Sequence, residues 1–205
     1  MAAAREPGTV PVVGLTGAIA AGKSEALAAF ERHGAATLST DAVVHELLST
    51  ARVRDLLVGR WGDQVASDGA VDRARVGAIV FERPEELGWL ESTLHPLVGE
   101  RIAAWLAGLE PSTRLAVIEV PLLFETGMES MFEATVCVVA PDPVRVERAG
   151  ARGIGELEGR SERQLTQEEK AARATYVVRN DAGLDQLDRR VDELIADLTA
   201  AREGR

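Results

Sequence analysis

The chain is poor in three residue types: it has one cysteine, one asparagine and two lysines. The single cysteine, Cys137, excludes an internal disulfide, and in the apolar run ATVCVVAP it reads as a small buried hydrophobe. The single asparagine, Asn180, stands in VVRNDAG with no lysine after it, so the Asn-Lys-x-Asp segment by which GTPases usually read guanine is missing. Positive charge is short as well. The formal net charge is −10, which argues against a nucleic-acid partner held by a basic surface, although a local pocket can still be positive inside a negative envelope. No apolar window reaches the length of a membrane span, and MAAAREPGTV lacks the apolar stretch of a signal peptide, so no membrane partner is expected and the expected location is the cytoplasm. Hydrophobic residues make up 46% of the chain, enough for the core of one compact domain. The oligomeric state is not legible.

Along the chain, TVPVVGLTG (9–17) predicts a buried strand ending in glycine. GKSEALAAFERH (22–33) predicts a helix stopped by Gly34, and AATLST (35–40) a second strand. Residues 41–111 change character. They read as helices broken at Pro84 and Pro96, too long a stretch for a simple crossover, and so as an inserted helical subdomain. The sheet resumes with RLAVIEVPLL (114–123) and ATVCVVAP (134–141), and TYVVRN (175–180) is a fifth strand. Between the last two lies a glycine-bearing, highly charged segment, expected to be a lid over about residues 150–166, then a helix. The apolar stripe Leu184, Leu187, Val191, Leu194, Ile195 and Leu198 marks a closing helix that packs on the sheet. The expectation is one α/β domain over 8–205, with a five-stranded parallel sheet flanked by helices and a core made of 8–40 and 112–205.

The two lysines are informative against 21 arginines. Lys170 lies in the charged helix near the end of the chain, whereas Lys23 sits between a glycine and a serine in GLTGAIAAGKSEAL (14–27). GAIAAGKS matches G-x-x-x-x-G-K-[ST] at every fixed position, and it lies between a predicted strand and a predicted helix, as the mechanism of that motif requires. Its glycines let backbone N–H groups converge on a polyphosphate, and the helix that follows presents its positive end. Lys23 reaches the β- and γ-phosphates as a compact point charge, where arginine's planar fork would not fit. Ser24 offers its hydroxyl to Mg²⁺. The residues expected to bind ATP are therefore Gly17, Ala18, Ile19, Ala20, Ala21, Gly22, Lys23, Ser24 and Glu25. With GTPases disfavoured, a P-loop kinase acting on a small molecule leads. Asp41, just past the second strand, suits a base that takes the proton of the attacking hydroxyl, and it suits a helix cap equally well.

Several segments, in order over about residues 10–200, resemble the dephospho-CoA kinase family: GLTGAIAAGKS, LSTDAVVHELL, GAVDRARVGAIVFERPEELGWLESTLHPLV, VIEVPLLFET and RQLTQEEKAARATYVVRN. The resemblance implies transfer of the ATP γ-phosphoryl to the ribose 3′-hydroxyl of dephospho-CoA, with residues 41–111 as a CoA-binding subdomain. It implies that Asp41 is the base and that Glu119 holds Mg²⁺, through water, in the manner of a Walker-B acid. It also implies that His95, Pro121, Leu122 and Glu125 serve the acceptor, and that Arg148 and Arg152 close over the phosphoryl group. Three departures stand out. Ala18, Ala20 and Ala21 replace residues that are Gly, Gly and Ser in the family, Glu25 replaces a Thr, and Ser39 replaces the first Asp of Asp-Ala-Asp. Alanine at a position of positive φ costs about 1 kcal/mol, and Glu25 brings a negative charge toward the α-phosphate. A kinase of the same architecture for another nucleotide or small alcohol, and a nucleotide-binding regulatory protein without turnover, are the competing readings.

Overall fold

VVGLTG forms β1 (Val12–Gly17), buried along its whole length. A parallel strand covered on both faces reads as a continuous apolar run rather than an alternation. The structure, a computed structural model, describes residues 10–67, 69–151 and 164–203. In chain order β1 is followed by α1 (Lys23–Arg32), β2 (Ala36–Ser39), α2 (Thr40–Leu48), α3 (Ala51–Trp61), the two-residue strands β3 (Ala66–Ser67) and β4 (Ala70–Val71), α4 (Arg73–Glu82) and α5 (Pro84–Ala107). Then come β5 (Ala116–Glu119), β6 (Ala134–Val139), α6 (Asp142–Ala151), α7 (Gln167–Arg173), β7 (Tyr176–Arg179) and α8 (Leu184–Glu203). The chain divides into two compact units, one formed by the chain up to Ser39 and from Glu110 onward, the other by Thr40–Leu109.

The first unit holds a five-stranded parallel sheet in the order β2-β5-β1-β6-β7. These are the five strands expected from the sequence. The chain runs from β1 out to β2, returns to β5, then crosses β1 to β6 and β7, so the winding reverses at β1. In open α/β sheets such a reversal opens a crevice at the carboxyl ends of the strands. Leu15, Val117 and Val136 from the sheet share a core with Phe30 of α1 and Leu187 and Val191 of α8. Each such side chain contributes about 1.5–3 kcal/mol on burial. β1 and β6 approach so closely at their ends that a Cβ on Gly17 would meet the Val138 carbonyl oxygen at 2.4 Å. That glycine is needed for strand packing before any ligand is considered.

In the second unit, α2 and α3 are separate helices because Thr50 caps α3, its hydroxyl accepting from Val53 N at 3.3 Å. β3 and β4 form an antiparallel hairpin that turns at Gly69, φ 80°. The sequence reading missed it, since two residues per strand leave no alternation to see. The break expected at Pro84 is present, α4 ending at Glu82, whereas the one expected at Pro96 is not. Pro84 opens α5 at the first helical position, where its missing N–H has no partner to lose. Pro96 lies inside α5 without breaking it. An interior proline costs about 3 kcal/mol, and the buried stripe Leu94, Leu97, Val98 and Ile102 of the same helix holds it through. The Trp61 and Trp89 rings meet edge to face at 5.1 Å, and Arg60 lies over Trp89 at 5.3 Å. The Glu86 carboxylate accepts from Arg60 Nε (2.9 Å), Arg60 Nη2 (3.0 Å) and Trp61 Nε1 (2.8 Å). Among the described residues no helix is long and apolar enough to cross a membrane.

Candidate active site

β1 delivers the chain into the loop at the point where the winding reverses. Gly22, φ 96°, stands before α1 without a side-chain cap, and the first hydrogen bond of the helix runs from Ala26 N to Gly22 O at 3.0 Å. The leading N–H groups of α1 therefore head the helix at the loop, the arrangement that favours an anion. Ala20 adopts φ 60°, a conformation that the family's glycine takes without steric cost. Lys23 folds back so that Nζ donates to Gly17 O (3.1 Å) and Ala18 O (3.2 Å), the first turn of its own loop. Ser24 is exposed. Glu25 turns aside: its carboxylate accepts from Arg32 Nη2 at 3.2 Å, on the helix face where Arg32 also meets Asp188 of α8 at 2.6 Å. The charge at position 25 is thus paired away from the loop.

The loop is also held from outside. Arg145 Nε donates to Ile19 O at 3.1 Å, and Asn180 Nδ2 donates to Ala21 O at 3.0 Å. Arg148 Nη1 lies 3.4 Å from the same Ala21 carbonyl, and its Nη2 donates to Asn180 Oδ1 at 3.3 Å. Sequence reasoning passed over Arg145 and Asn180 as site residues. The one available signal was that the chain's only asparagine closes its last strand.

Glu119 ends β5 and is buried, in register with Leu15 of β1 and Ser39 of β2. Ser24 and Glu119 are hard oxygen donors, the type that Mg²⁺ prefers beside phosphate oxygens and water. Among the described residues no group of three or more His, Cys, Asp or Glu is gathered as a metal cage, so the phosphates would have to complete the coordination. After β5, the Pro121 carbonyl accepts from Thr16 Oγ1 (3.2 Å) and Lys170 Nζ (2.7 Å). Glu125 Oε1 accepts from Lys170 Nζ (2.9 Å) and Leu165 N (2.9 Å), which ties this segment to the start of α7. Leu122 is half-buried. In the helical unit, Asp41 lies in the first turn of α2 with its side chain exposed, and His95 is exposed on α5, immediately before Pro96. Arg152 and most of the expected lid, residues 152–163, lie outside the described residues. Cys137 is fully buried in β6, and burial pushes its thiol up to about 11.

A parallel sheet in this order, with the G-x-x-x-x-G-K-[ST] loop leading from its central strand into a helix, defines a P-loop kinase, an ATP-dependent phosphotransferase. The family model described as dephospho-CoA kinase (CoaE) matches residues 11–186. A dephospho-CoA kinase of Frankia casuarinae is 34% identical over 197 residues, covering 94% of this chain and 86% of the relative. One of Streptomyces avermitilis is 35% identical over 191 residues, covering 91% and 93%. The crystal structure of TT1252 from Thermus thermophilus superposes with a TM-score of 0.81 at 33% identity, covering 93% of this chain and 99% of that one. A shikimate kinase from Bacteroides thetaiotaomicron, at 18% identity and a TM-score of 0.53 over 92% and 98% of the two chains, shares the fold. The chain belongs to the dephospho-CoA kinase family.

Proposed function

We propose that this chain phosphorylates the ribose 3′-hydroxyl of dephospho-CoA from ATP, giving CoA and ADP, and that the residues named above divide the work as follows. The observation that carries the proposal is the loop of residues 17–24 at the head of α1, within a chain matched by the family model over residues 11–186. The loop's backbone N–H groups and the helix terminus receive the triphosphate. Lys23 Nζ exchanges its carbonyl partners, Gly17 and Ala18, for β- and γ-phosphate oxygens. Glu25 contributes its backbone alone, since Arg32 holds its carboxylate.

Ser24 and Glu119 would hold Mg²⁺, Glu119 through water; when bound, the ion neutralises charge on the β- and γ-phosphates. Asp41 takes the proton from the 3′-hydroxyl as the oxygen attacks phosphorus. Arg148, already beside the loop, and Arg152 meet the charge that spreads over the phosphoryl oxygens. Pro121, Leu122 and His95 serve the acceptor, while Glu125 braces the Pro121 segment through Lys170. A reaction that consumes ATP supports a cytoplasmic location.

The test is a coupled assay of ADP release from purified protein with Mg²⁺ and ATP, offering dephospho-CoA, AMP, CMP and shikimate as separate acceptors. ADP release with dephospho-CoA, with CoA identified as the product, is the expected result. Faster turnover of any other acceptor defeats the substrate assignment. Tight ATP binding with no acceptor-dependent ADP defeats the assignment as an active enzyme.

A further inference from the structure

The loop that receives the phosphates carries three alanines, Ala18, Ala20 and Ala21. Ala20 is the one non-glycine residue at positive φ among the described residues, so the loop adopts a curl that its sequence resists. Two of its carbonyls are gripped by side chains that come from distant parts of the chain. Ile19 O accepts from Arg145, and Ala21 O accepts from Asn180 and Arg148.

Each gripping group is itself fixed. Arg145 Nη1 lies 2.8 Å from Asp142 Oδ1 at the start of α6. Arg148 reaches both the backbone oxygen (3.5 Å) and the side-chain oxygen (3.3 Å) of Asn180. Asn180 is 4% exposed, and its N–H donates to Val139 O at 2.7 Å. The fit around the amide is close, since a Cβ on Gly22 would lie 2.0 Å from Asn180 Nδ2.

A trans peptide points its C=O and its N–H in opposite directions. Fixing the oxygens of Ile19 and Ala21 therefore fixes the N–H groups of Ala20 and Gly22, which point away from the clamp. These two N–H groups flank that of Ala21, which donates to Ala18 O at 3.2 Å, and backbone N–H groups fixed in a tight turn are suited to an anion.

We propose that Asn180 is a positioning residue: with Arg145 and Arg148 it clamps the outer side of the alanine-bearing loop and presets it for the nucleotide's phosphates. An amide is the group that suits position 180, because one end must donate to Ala21 O while the other accepts from Arg148. The proposal rests on the reading that residues 17–24 hold ATP.

The experiment compares wild type with Asn180→Ala and Asn180→Asp. Binding of Mg²⁺–ATP is measured by calorimetry without any acceptor, steady-state constants are measured for both substrates, and folding is followed by thermal unfolding. Asn180→Asp preserves shape and the acceptor for Arg148 but replaces the donor to Ala21 O with a carboxylate oxygen, an acceptor that carries negative charge. Both variants are expected to bind ATP about tenfold more weakly, the effect of losing one buried hydrogen bond. KM for ATP should rise in step and KM for dephospho-CoA should stay within about twofold, while kcat at saturating ATP should fall further in Asn180→Ala, which also removes the acceptor for Arg148, than in Asn180→Asp. Wild-type ATP affinity in a folded Asn180→Asp variant would overturn the clamp. So would equal losses in kcat and in both KM values, which would mark a merely structural role. The calorimetric arm uses ATP alone, so a failed dephospho-CoA assay leaves this test intact and bears only on the substrate.

Discussion

Lys170 Nζ lies 2.9 Å from Glu125 Oε1; the lysine side chain is fully buried and that of the glutamate is 10% exposed. The ammonium also donates to the Pro121 carbonyl at 2.7 Å, so one cation links α7 to the segment that follows β5 at two points. Glu125 Oε2 has no hydrogen-bond partner among the described residues, so this carboxylate depends on the lysine for compensation. Removing one partner of a buried pair leaves an uncompensated charge, whereas removing both does not. Lys170→Met should lower the free energy of unfolding in denaturant by about 3–5 kcal/mol. The double variant Lys170→Met with Glu125→Leu should recover a substantial part of that loss. Equal losses in the single and double variants would show that the pair contributes packing rather than charge compensation.

Asp41 and Lys23 should separate in kinetics. Asp41→Asn is expected to keep ATP affinity while kcat falls about 10²–10⁴-fold, the usual share of a general base. Lys23→Ala should lose both nucleotide affinity and rate. A full kcat in Asp41→Asn would leave the residue as part of the first turn of α2 and nothing more.

The Glu86 carboxyl is held below its ordinary value of 4.5, first by its hydrogen bond to Arg60 and then by that to Trp61. A carboxyl with a depressed folded value contributes stability that is fully present above about pH 4.5 and is lost as the pH falls through the folded value beneath it. Asp188, held down by Arg32, and Asp181, held down by Arg190, work in the same direction. Denaturation followed from neutral pH to below pH 4 should therefore show stability falling with acid, and Glu86→Gln should flatten part of that fall. An unchanged slope in the variant would remove Glu86 from the acid response.

The thiol of Cys137, raised by burial, should be inert in the folded protein at pH 8 and react with a thiol reagent only once denaturant exposes it. Rapid labelling of the native protein would mean that β6 opens readily.

The phosphate loop and the five sheet strands could be read from the sequence because each is written in consecutive residues: a fixed motif in one case, unbroken apolar runs in the other. The brace behind the loop could not. Asn180 and Ala21 are 159 positions apart, and nothing at either position announces the other. The direction of Glu25 depends on Arg32 two turns along α1 and on Asp188 of α8, so its charge looked like a threat to the nucleotide until those partners were placed. Pro96 misled in the other direction. A local rule predicts a break, and the burial of Leu94, Leu97 and Val98 beside it overrides that rule.

The helical unit Thr40–Leu109 occupies the connection between β2 and β5, which lie side by side in the sheet. In simpler α/β proteins a single helix makes such a crossover. Spliced in at one junction, the excursion is insulated from the strand register that carries the loop. A change of length or sequence inside that interval can therefore leave the pairing of the strands on either side of it as it is.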